Sequence, residues 1–192
     1  LPNYGEKMKA PISWLKDFVD IDLPIAELAH LVTMAGMEVE KIQIIGLPMP
    51  EPGTTSAKVT GLSWDREKIV AAAVTEVMPH PNADRLVLCR LLDGQEERIV
   101  LTGAPNLYEY KGKGVLPVPL KVAYAKEGSV IYDGHQEGYV LTTLKRTKIR
   151  GVESDSMVCS EKELGISDEH EGIMFLDPEV VPPKKRIAVM RS

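Results

Sequence analysis

The chain has 192 residues and a formal net charge of −5, which disfavours a protein whose whole surface binds nucleic acid. Hydrophobic residues make up 44% and charged residues 27%, values that are ordinary for a globular protein. No apolar run approaches the roughly 18 residues of a membrane helix, so we expect no membrane partner. Cys89 and Cys159 lack the CxxC spacing of a zinc or redox site, and we expect both to be reduced core residues of a cytoplasmic protein.

The N-terminal residues predict two helices and a strand. Trp14 and Phe18 share one face of a helical pattern that runs on to Val19. A second helix has Pro24 in its first turn, and Gly36 ends it as a left-handed cap. Apolar and charged residues then alternate over residues 38–45, which predicts a strand.

Residues 46–68 are rich in proline, glycine and polar residues, which indicates a linker or crossover. Several short β segments follow, at residues 69–78, 85–92, 97–101, 118–123 and 139–149. Asp93 and Gly94 mark a hairpin turn between the second and the third. Because no helical crossovers separate these segments, the pattern favours a small closed β-barrel over a parallel sheet.

The C-terminal residues predict a short helix and little else. Residues 160–163 have the pattern of a capping box, and Gly165 closes the helix. A brief strand is expected at residues 173–176, and residues 180–192 are expected to form an irregular basic tail. Together with the β segments, these elements predict an α+β fold.

The sequence does not indicate catalysis by this chain. Its four histidines, His30, His80, His135 and His170, have no partner at a metal-ligand spacing. Neither a GxSxG elbow nor a phosphate-binding glycine loop is present. We therefore expect no catalytic, cofactor-binding or metal-binding residues.

The heptapeptide His80-Pro81-Asn82-Ala83-Asp84-Arg85-Leu86 lies where the first β segment turns into the second. From the residues alone it is a stiff turn, because Pro81 fixes the backbone while Asn82 and Asp84 can bond to neighbouring backbone groups. It also resembles the signature of the tRNA-binding OB-fold domain. That domain is found in several aminoacyl-tRNA synthetases and in free-standing tRNA-binding proteins.

Three further segments narrow the resemblance. They are Gly103-Ala104-Pro105-Asn106, the run from Lys148 through Ser156 and Met157 to Gly165, and the N-terminal pieces 13–15 and 33–40. In this order, over roughly residues 8–176, they resemble the N-terminal region of the bacterial phenylalanine–tRNA ligase beta chain.

The resemblance implies an OB-fold barrel of five strands, inserted in a small discontinuous α+β domain. The barrel would be residues 69–158, the two halves of the α+β domain would be residues 8–45 and 159–179, and residues 46–68 would connect them. It also implies an accessory tRNA-binding module that is not itself catalytic. The ATP and magnesium of the full enzyme would bind in regions absent here, and the expected partners are tRNA, the rest of the beta chain and the alpha chain.

A basic segment supplies the expected RNA contacts: Lys145, Arg146, Lys148 and Arg150 put four cations in six residues. Strand alternation predicts Arg146, Lys148 and Arg150 on one face and Lys145 on the other. Asn82 and Arg85 would join them near the mouth of the barrel. Two hypotheses stay open. Either the cations contact phosphates, or they meet protein or solvent while the module serves as a structural buttress and subunit contact of the beta chain. The tyrosines, Tyr108, Tyr110, Tyr124, Tyr132 and Tyr139, are candidates for base stacking or for packing.

Overall fold

A computed structural model describes residues 8–181 of the chain. These residues divide into two compact units. The first unit comprises residues 8–42 and 50–59, and the second comprises residues 43–49 and 60–181. The predicted domain boundaries stay a prediction, and the predicted basic tail lies almost wholly outside the described residues.

The first unit carries two helices. Helix α1 (Ile12–Leu15) is a single turn, shorter than the predicted helix to Val19. Helix α2 (Ile25–Met34) follows Pro24 and ends before Gly36, whose φ of 97° is the predicted left-handed cap. Ala26 and Ala29 are the buried residues of α2, because their small side chains allow close packing.

Strands β1 (Lys41–Ile45) and β2 (Lys58–Leu62) form a two-stranded sheet. Ile42 and Ile44 of β1 are buried at alternate positions, as the period of a strand requires. Strand β2 is a correction, because it falls in residues 46–68, where the sequence indicated a linker. Gly61 makes the pairing possible: a Cβ there would lie 1.9 Å from the carbonyl oxygen of Ile44.

The remaining strands of the described residues lie in the second unit. They are β3 (Ile69–Pro79), β4 (Val87–Leu92), β5 (Glu97–Thr102), β6 (Val115–Ala125), β7 (Val130–Tyr132), β8 (Leu141–Thr143), β9 (Thr147–Ile149), β10 (Val152–Ser154) and β11 (Met157–Val158). Five of them form an antiparallel sheet in the order β11-β6-β3-β4-β5. Its edge strands β5 and β11 approach each other, so the sheet is a nearly closed barrel. This confirms the predicted five-stranded OB-like barrel in an α+β fold.

The interior of the barrel is apolar. On β4, Val87, Cys89 and Leu91 alternate inward and are fully buried in one apolar cluster with Val74 of β3 and Val122 of β6. Both cysteines are free and buried, as predicted. Burial raises the pKa of the Cys89 thiol to about 12, so it is a packing residue rather than a nucleophile.

The predicted strand 139–149 is wrong as a single element. It divides into β8, which pairs with β7, and β9, which pairs with β10. The turn from β9 to β10 is the residue pair Arg150-Gly151, with φ angles of 50° and 94°. Two central residues with positive φ are typical of the tight hairpin turn that matches strand twist. The predicted shared face of Arg146, Lys148 and Arg150 is therefore wrong, because Arg146 precedes β9 and Arg150 lies in the turn.

After the barrel, helix α3 (Glu161–Leu164) begins with the predicted capping box. The Ser160 side chain accepts from the Glu163 backbone N–H, and the Glu163 carboxylate accepts from Ser160 N–H at 2.6 Å. Gly165, at a φ of 75°, closes the helix. The strand predicted at residues 173–176 is reduced to one bridge, between Phe175 and Val122. None of the helices within residues 8–181 is long and apolar enough to cross a membrane.

Asp93 holds the predicted turn between β4 and β5. Its Oδ1 atom accepts the backbone N–H groups of Gln95 and Glu96 at 2.9 and 2.8 Å. Its Oδ2 atom lies 2.7 Å from Lys126 Nζ, and the Asp93 side chain is only 4% exposed. Burial acts to raise the pKa of Asp93, but the bonds from Lys126, Glu96 and Gln95 outweigh it and hold the pKa below the ordinary value of 3.8.

We expect Asp93→Asn to cost about 1.5–3 kcal/mol of stability at pH 7, the usual value of a hydrogen bond between charged groups. The amide keeps the oxygen that accepts from the turn but loses the charge opposite Lys126. Because the pKa of Asp93 is lowered in the folded state, its charge contributes fully to stability when the pH is above the ordinary pKa of 3.8. This contribution disappears as the pH falls through the folded-state pKa. Urea unfolding at pH 7 and at about pH 2.5 measures both effects.

Asp65→Asn is the matched control, since Asp65 also accepts a turn N–H and pairs with a lysine, Lys68, at 3.7 Å. Both side chains of that pair are nearly half exposed, so we expect a cost below about 1 kcal/mol. Equal costs for the two variants, or an Asp93→Asn cost that persists in acid, would contradict the role of the Lys126 pair.

Candidate nucleic-acid interface

The loop of residues 80–86, the 80–86 loop, connects β3 to β4 and carries the His-Pro-Asn-Ala-Asp-Arg motif. His80 is buried, and its Nδ1 atom accepts the backbone N–H of Asn82 at 3.0 Å. Pro81, Asp84 and Arg85 are exposed. His80 thus shapes the turn from inside, while the side chains that follow it face solvent.

The Gly103–Asn106 motif leads into a 3-10 helix, Pro105–Tyr110, with Pro105 in its first turn. Leu107 points into the barrel core and is fully buried. The Asn106 amide donates to the Ile173 carbonyl at 2.8 Å and accepts the Ile173 N–H at 3.2 Å. Asn106 is therefore a link between the 3-10 helix and the segment after α3, so the structure gives it a scaffolding contact.

Gly172 leaves the space that this link needs. A Cβ at Gly172 would lie 2.8–2.9 Å from the Nδ2 and Cγ atoms of Asn106, closer than real Cβ contacts come. We expect Gly172→Ala to break the Asn106–Ile173 bonds and to cost about 1–3 kcal/mol, the cost of unmet buried hydrogen bonds. Urea unfolding measures this, with Gly103→Ala as the control, since a Cβ at Gly103 meets only ordinary contacts at 3.4–3.6 Å. A stable Gly172→Ala protein would refute this prediction.

The solvent side of the 3-10 helix contacts the 80–86 loop. The Tyr108 hydroxyl lies 2.8 Å from the Arg85 carbonyl oxygen and 3.1 Å from that of Gly103. Just beyond the helix, Lys111 Nζ donates to the Asp84 carbonyl at 2.8 Å. The sequence offered Tyr108 only as a stacking or packing residue. It did not indicate the contact of Lys111 with the loop, because Lys111 and Asp84 are 27 positions apart and such a pairing leaves no local signal.

The hairpin of residues 147–154, the β9–β10 hairpin, lies beside the same loop. A Cβ built on Gly151 would lie 3.8 Å from Asn82 Nδ2. The structure therefore brings together two predicted groups, the motif loop and the basic segment, which lie far apart in the chain. In OB folds, loops at corresponding places flank the surface that binds oligonucleotides.

The predicted cations differ in their electrostatic surroundings. Arg146 lies 3.4 Å from Asp155 and 3.6 Å from Glu127, so acids offset its charge. The other four, Arg85, Lys145, Lys148 and Arg150, are exposed and form no ion pair within 4 Å among residues 8–181. Glu153 lies directly opposite Lys148 in the pairing of β9 with β10, so it offsets part of the positive charge. The cations outnumber Asp84 and Glu153, the acids of residues 80–86 and 145–154, which makes this a local basic surface.

Ser156 and Met157, two further motif residues, lie where the barrel closes. Ser156 is buried, and its hydroxyl donates to Asp155 Oδ1 at 3.0 Å. Met157 pairs with Ala125 in the barrel sheet and packs on the second apolar cluster. Ser156 and Met157 therefore have a structural role in the motif, because they lie where the barrel closes.

A cleft of about 530 Å³ opens between the end of the 80–86 loop, the β9–β10 hairpin and the segment after β11. Leu86, Lys145 and Ile149 are among its lining residues. No tyrosine, tryptophan or phenylalanine of the described chain lines it. Tyr124 and Tyr132 are buried in the core, and Tyr139 bonds to Asp168 at 2.9 Å. The cleft thus lacks the aromatic platform with which many single-strand binders stack bases.

Comparisons with known proteins agree with this geometry. Residues 69–185 match the family described as "Putative tRNA binding domain", and the chain belongs to that family. The chain is also similar to the phenylalanine–tRNA ligase beta subunit of Dehalococcoides mccartyi, with 40% identity over 174 residues. The same subunit of Syntrophus aciditrophicus is 36% identical over 173 residues, and that of Moorella thermoacetica is 35% identical over 181. The matches cover 90–91% of this chain but only 17–18% of those subunits, so the chain spans less than a fifth of their length.

Proposed function

We propose that this chain is the tRNA-binding module of a phenylalanine–tRNA ligase beta subunit and that it contacts the phosphate backbone of tRNA. The observation that carries the proposal is the approach of Asn82 in the 80–86 loop to Gly151 in the β9–β10 hairpin. That approach supports a shared RNA-contacting surface for the cations of two distant segments, on a barrel from a tRNA-binding family.

The binding we propose is weak and has little sequence preference. Four free cations can neutralise three or four phosphates, and affinity from such contacts falls steeply with salt. The remaining surface is acidic, which opposes additional contacts. The absence of Tyr, Trp and Phe side chains from the described lining of the cleft supports phosphate contact over base stacking.

We further propose that the chain itself does not catalyse aminoacylation. Within residues 8–181 there is no group of His, Cys, Asp and Glu side chains suited to a metal ion. Activation of phenylalanine with ATP and magnesium then belongs to the alpha chain, and the module works in the cytoplasm on tRNA that the assembled ligase aminoacylates.

A second candidate function is that of a structural buttress and subunit contact in the beta chain. Trp14 and Phe18 of the first unit favour it. Their rings meet edge to face at 5.2 Å, yet they are 55% and 74% exposed. An exposed aromatic pair is typical of a protein–protein contact.

Fluorescence anisotropy with labelled deacylated tRNA at about 50 and 200 mM salt separates the two candidates. We expect saturable binding at the lower salt and a loss of roughly 20-fold or more at the higher salt, for three to four phosphate contacts. The absence of binding at the lower salt would reject RNA contact and favour the buttress.

A further inference from the structure

We infer that Tyr108 and Lys111 are positioning residues, which hold the 80–86 loop in the conformation that presents Asn82 and Arg85 to RNA. The inference rests on the proposed function and deepens it by naming what sets the geometry of the interface. The sequence offered Tyr108 only for stacking or packing, and it did not name Lys111 among the expected RNA contacts.

The first step of the argument is that the loop lies outside the barrel ladder. The pairing of β3 with β4 reaches only Pro79 and Val87. Inside the loop, the Asn82 N–H bonds to His80 and the Leu86 N–H bonds to the Ala83 carbonyl at 3.2 Å. These short-range bonds shape the turn, but they do not attach its exposed tip to another element.

The second step is that Tyr108 and Lys111 supply this attachment. They bond to consecutive carbonyls of the loop, Lys111 to that of Asp84 and Tyr108 to that of Arg85, each at 2.8 Å. A pair of bonds to adjacent peptide groups fixes both the position and the orientation of the backbone between them.

The third step is that the 3-10 helix, which carries Tyr108 and leads into Lys111, is itself held in place by the barrel core. Leu107, next to Tyr108, is fully buried in the barrel core, and Asn106 makes its two bonds to Ile173. The 3-10 helix is thus fastened on its inner side to the core and on its outer side to the loop. A loop that is ordered before binding loses less entropy when RNA arrives, which increases affinity without a new contact.

Tyr108→Phe tests the inference, because it removes one oxygen atom and no charge. We expect the amides of Asn82 and Leu86 to exchange with solvent at least threefold faster, while the amides of the barrel strands keep their rates. We expect the dissociation constant for deacylated tRNA to rise about three- to tenfold, while the slope of log affinity against log salt stays unchanged.

Tyr139→Phe is the matched control, since Tyr139 is also exposed and its hydroxyl bonds to Asp168. That variant should leave loop exchange and RNA affinity unaltered. Uniformly faster exchange throughout the barrel would indicate a purely structural role and overturn the inference. So would unchanged exchange at Asn82 and Leu86, or faster loop exchange with unchanged affinity.

Lys111 requires a second comparison because it carries a charge. Lys111→Met should weaken tRNA binding several-fold without changing the slope of log affinity against log salt. Lys113→Met is the control, because Lys113 is a neighbouring exposed lysine that makes no side-chain bond among residues 8–181. This control should leave amide exchange in the 80–86 loop unchanged. A slope that falls by about 1 in Lys111→Met would show a direct phosphate contact and reject its positioning role. If the wild-type chain binds no tRNA, the proposed function fails on its own, and the exchange measurements still decide whether these residues order the loop.

Discussion

The double variant Lys148→Ala, Arg150→Asn is expected to bind tRNA about 25- to 60-fold more weakly than the wild type near 0.1 M salt. Each phosphate contact contributes about five- to eightfold at that salt, because log affinity changes with log salt by about 0.7–0.9 per contact. Asparagine is chosen at position 150 because it tolerates the left-handed conformation that Arg150 adopts at a φ of 50°. Anisotropy titrations over a range of salt concentrations measure both the loss and the slope, which should fall by about 1.5.

The loss should be the same for tRNA specific for phenylalanine and for tRNAs of other specificities, since phosphates carry no base information. Arg66→Asn is the control, because Arg66 is exposed and makes no ion pair among residues 8–181. It precedes β3 and lies outside both segments proposed to contact RNA. A loss confined to one tRNA would instead indicate base readout. An unchanged salt slope would show that Lys148 and Arg150 contact no phosphate.

Leu107→Ala is expected to have the largest effect on stability, a loss of about 2.5–5 kcal/mol of unfolding free energy. The side chain is fully buried between the barrel strands, so its removal loses apolar contact and leaves a cavity. Because Leu107 also fastens the 3-10 helix to the core, the 80–86 loop should lose order together with the barrel. Urea unfolding followed by far-ultraviolet circular dichroism measures the loss.

Leu92→Ala provides the comparison for this variant. Leu92 lies on β4 and is 43% exposed, so the same deletion should cost about 1 kcal/mol or less. Similar costs at the two positions would mean that the core does not pack as the structure shows. A wild-type-like Leu107→Ala protein would contradict the role of Leu107 as the inner attachment of the 3-10 helix.

The fold of the second unit was largely predictable because its signals are local. Short β segments bounded by turn residues predicted the strand that carries Val87, Cys89 and Leu91, and Asp93-Gly94 predicted the hairpin turn that the structure contains. The capping box at Ser160 and the cap at Gly165 likewise depend on neighbours a few positions away. Such patterns depend only on residues close together in the chain, and folding of the barrel leaves these local structures unchanged.

The errors arose where long-range contacts compete with local pattern. The segment 139–149 alternates like one strand, yet β7 pairs with its first half and β10 with its second. Strand β2 follows residues 46–53, which are rich in proline and glycine, and the close approach of Gly61 to Ile44 lets it pair with β1. Pairing partners of this kind have no signature in the segment itself.

By itself, the sequence determined the class of the protein and the two segments of its candidate site. The motif at residues 80–86 was named from its resemblance to the signature of the tRNA-binding domain, and the cations of residues 145–150 were named from residue types at short spacing. Only the tertiary structure decided that Asn82 meets Gly151, that Asp155 and Glu127 lie near Arg146, and that Tyr108 and Lys111 hold the motif loop. The physical reason is that each of these contacts depends on barrel closure, which brings distant segments together through packing of the whole core.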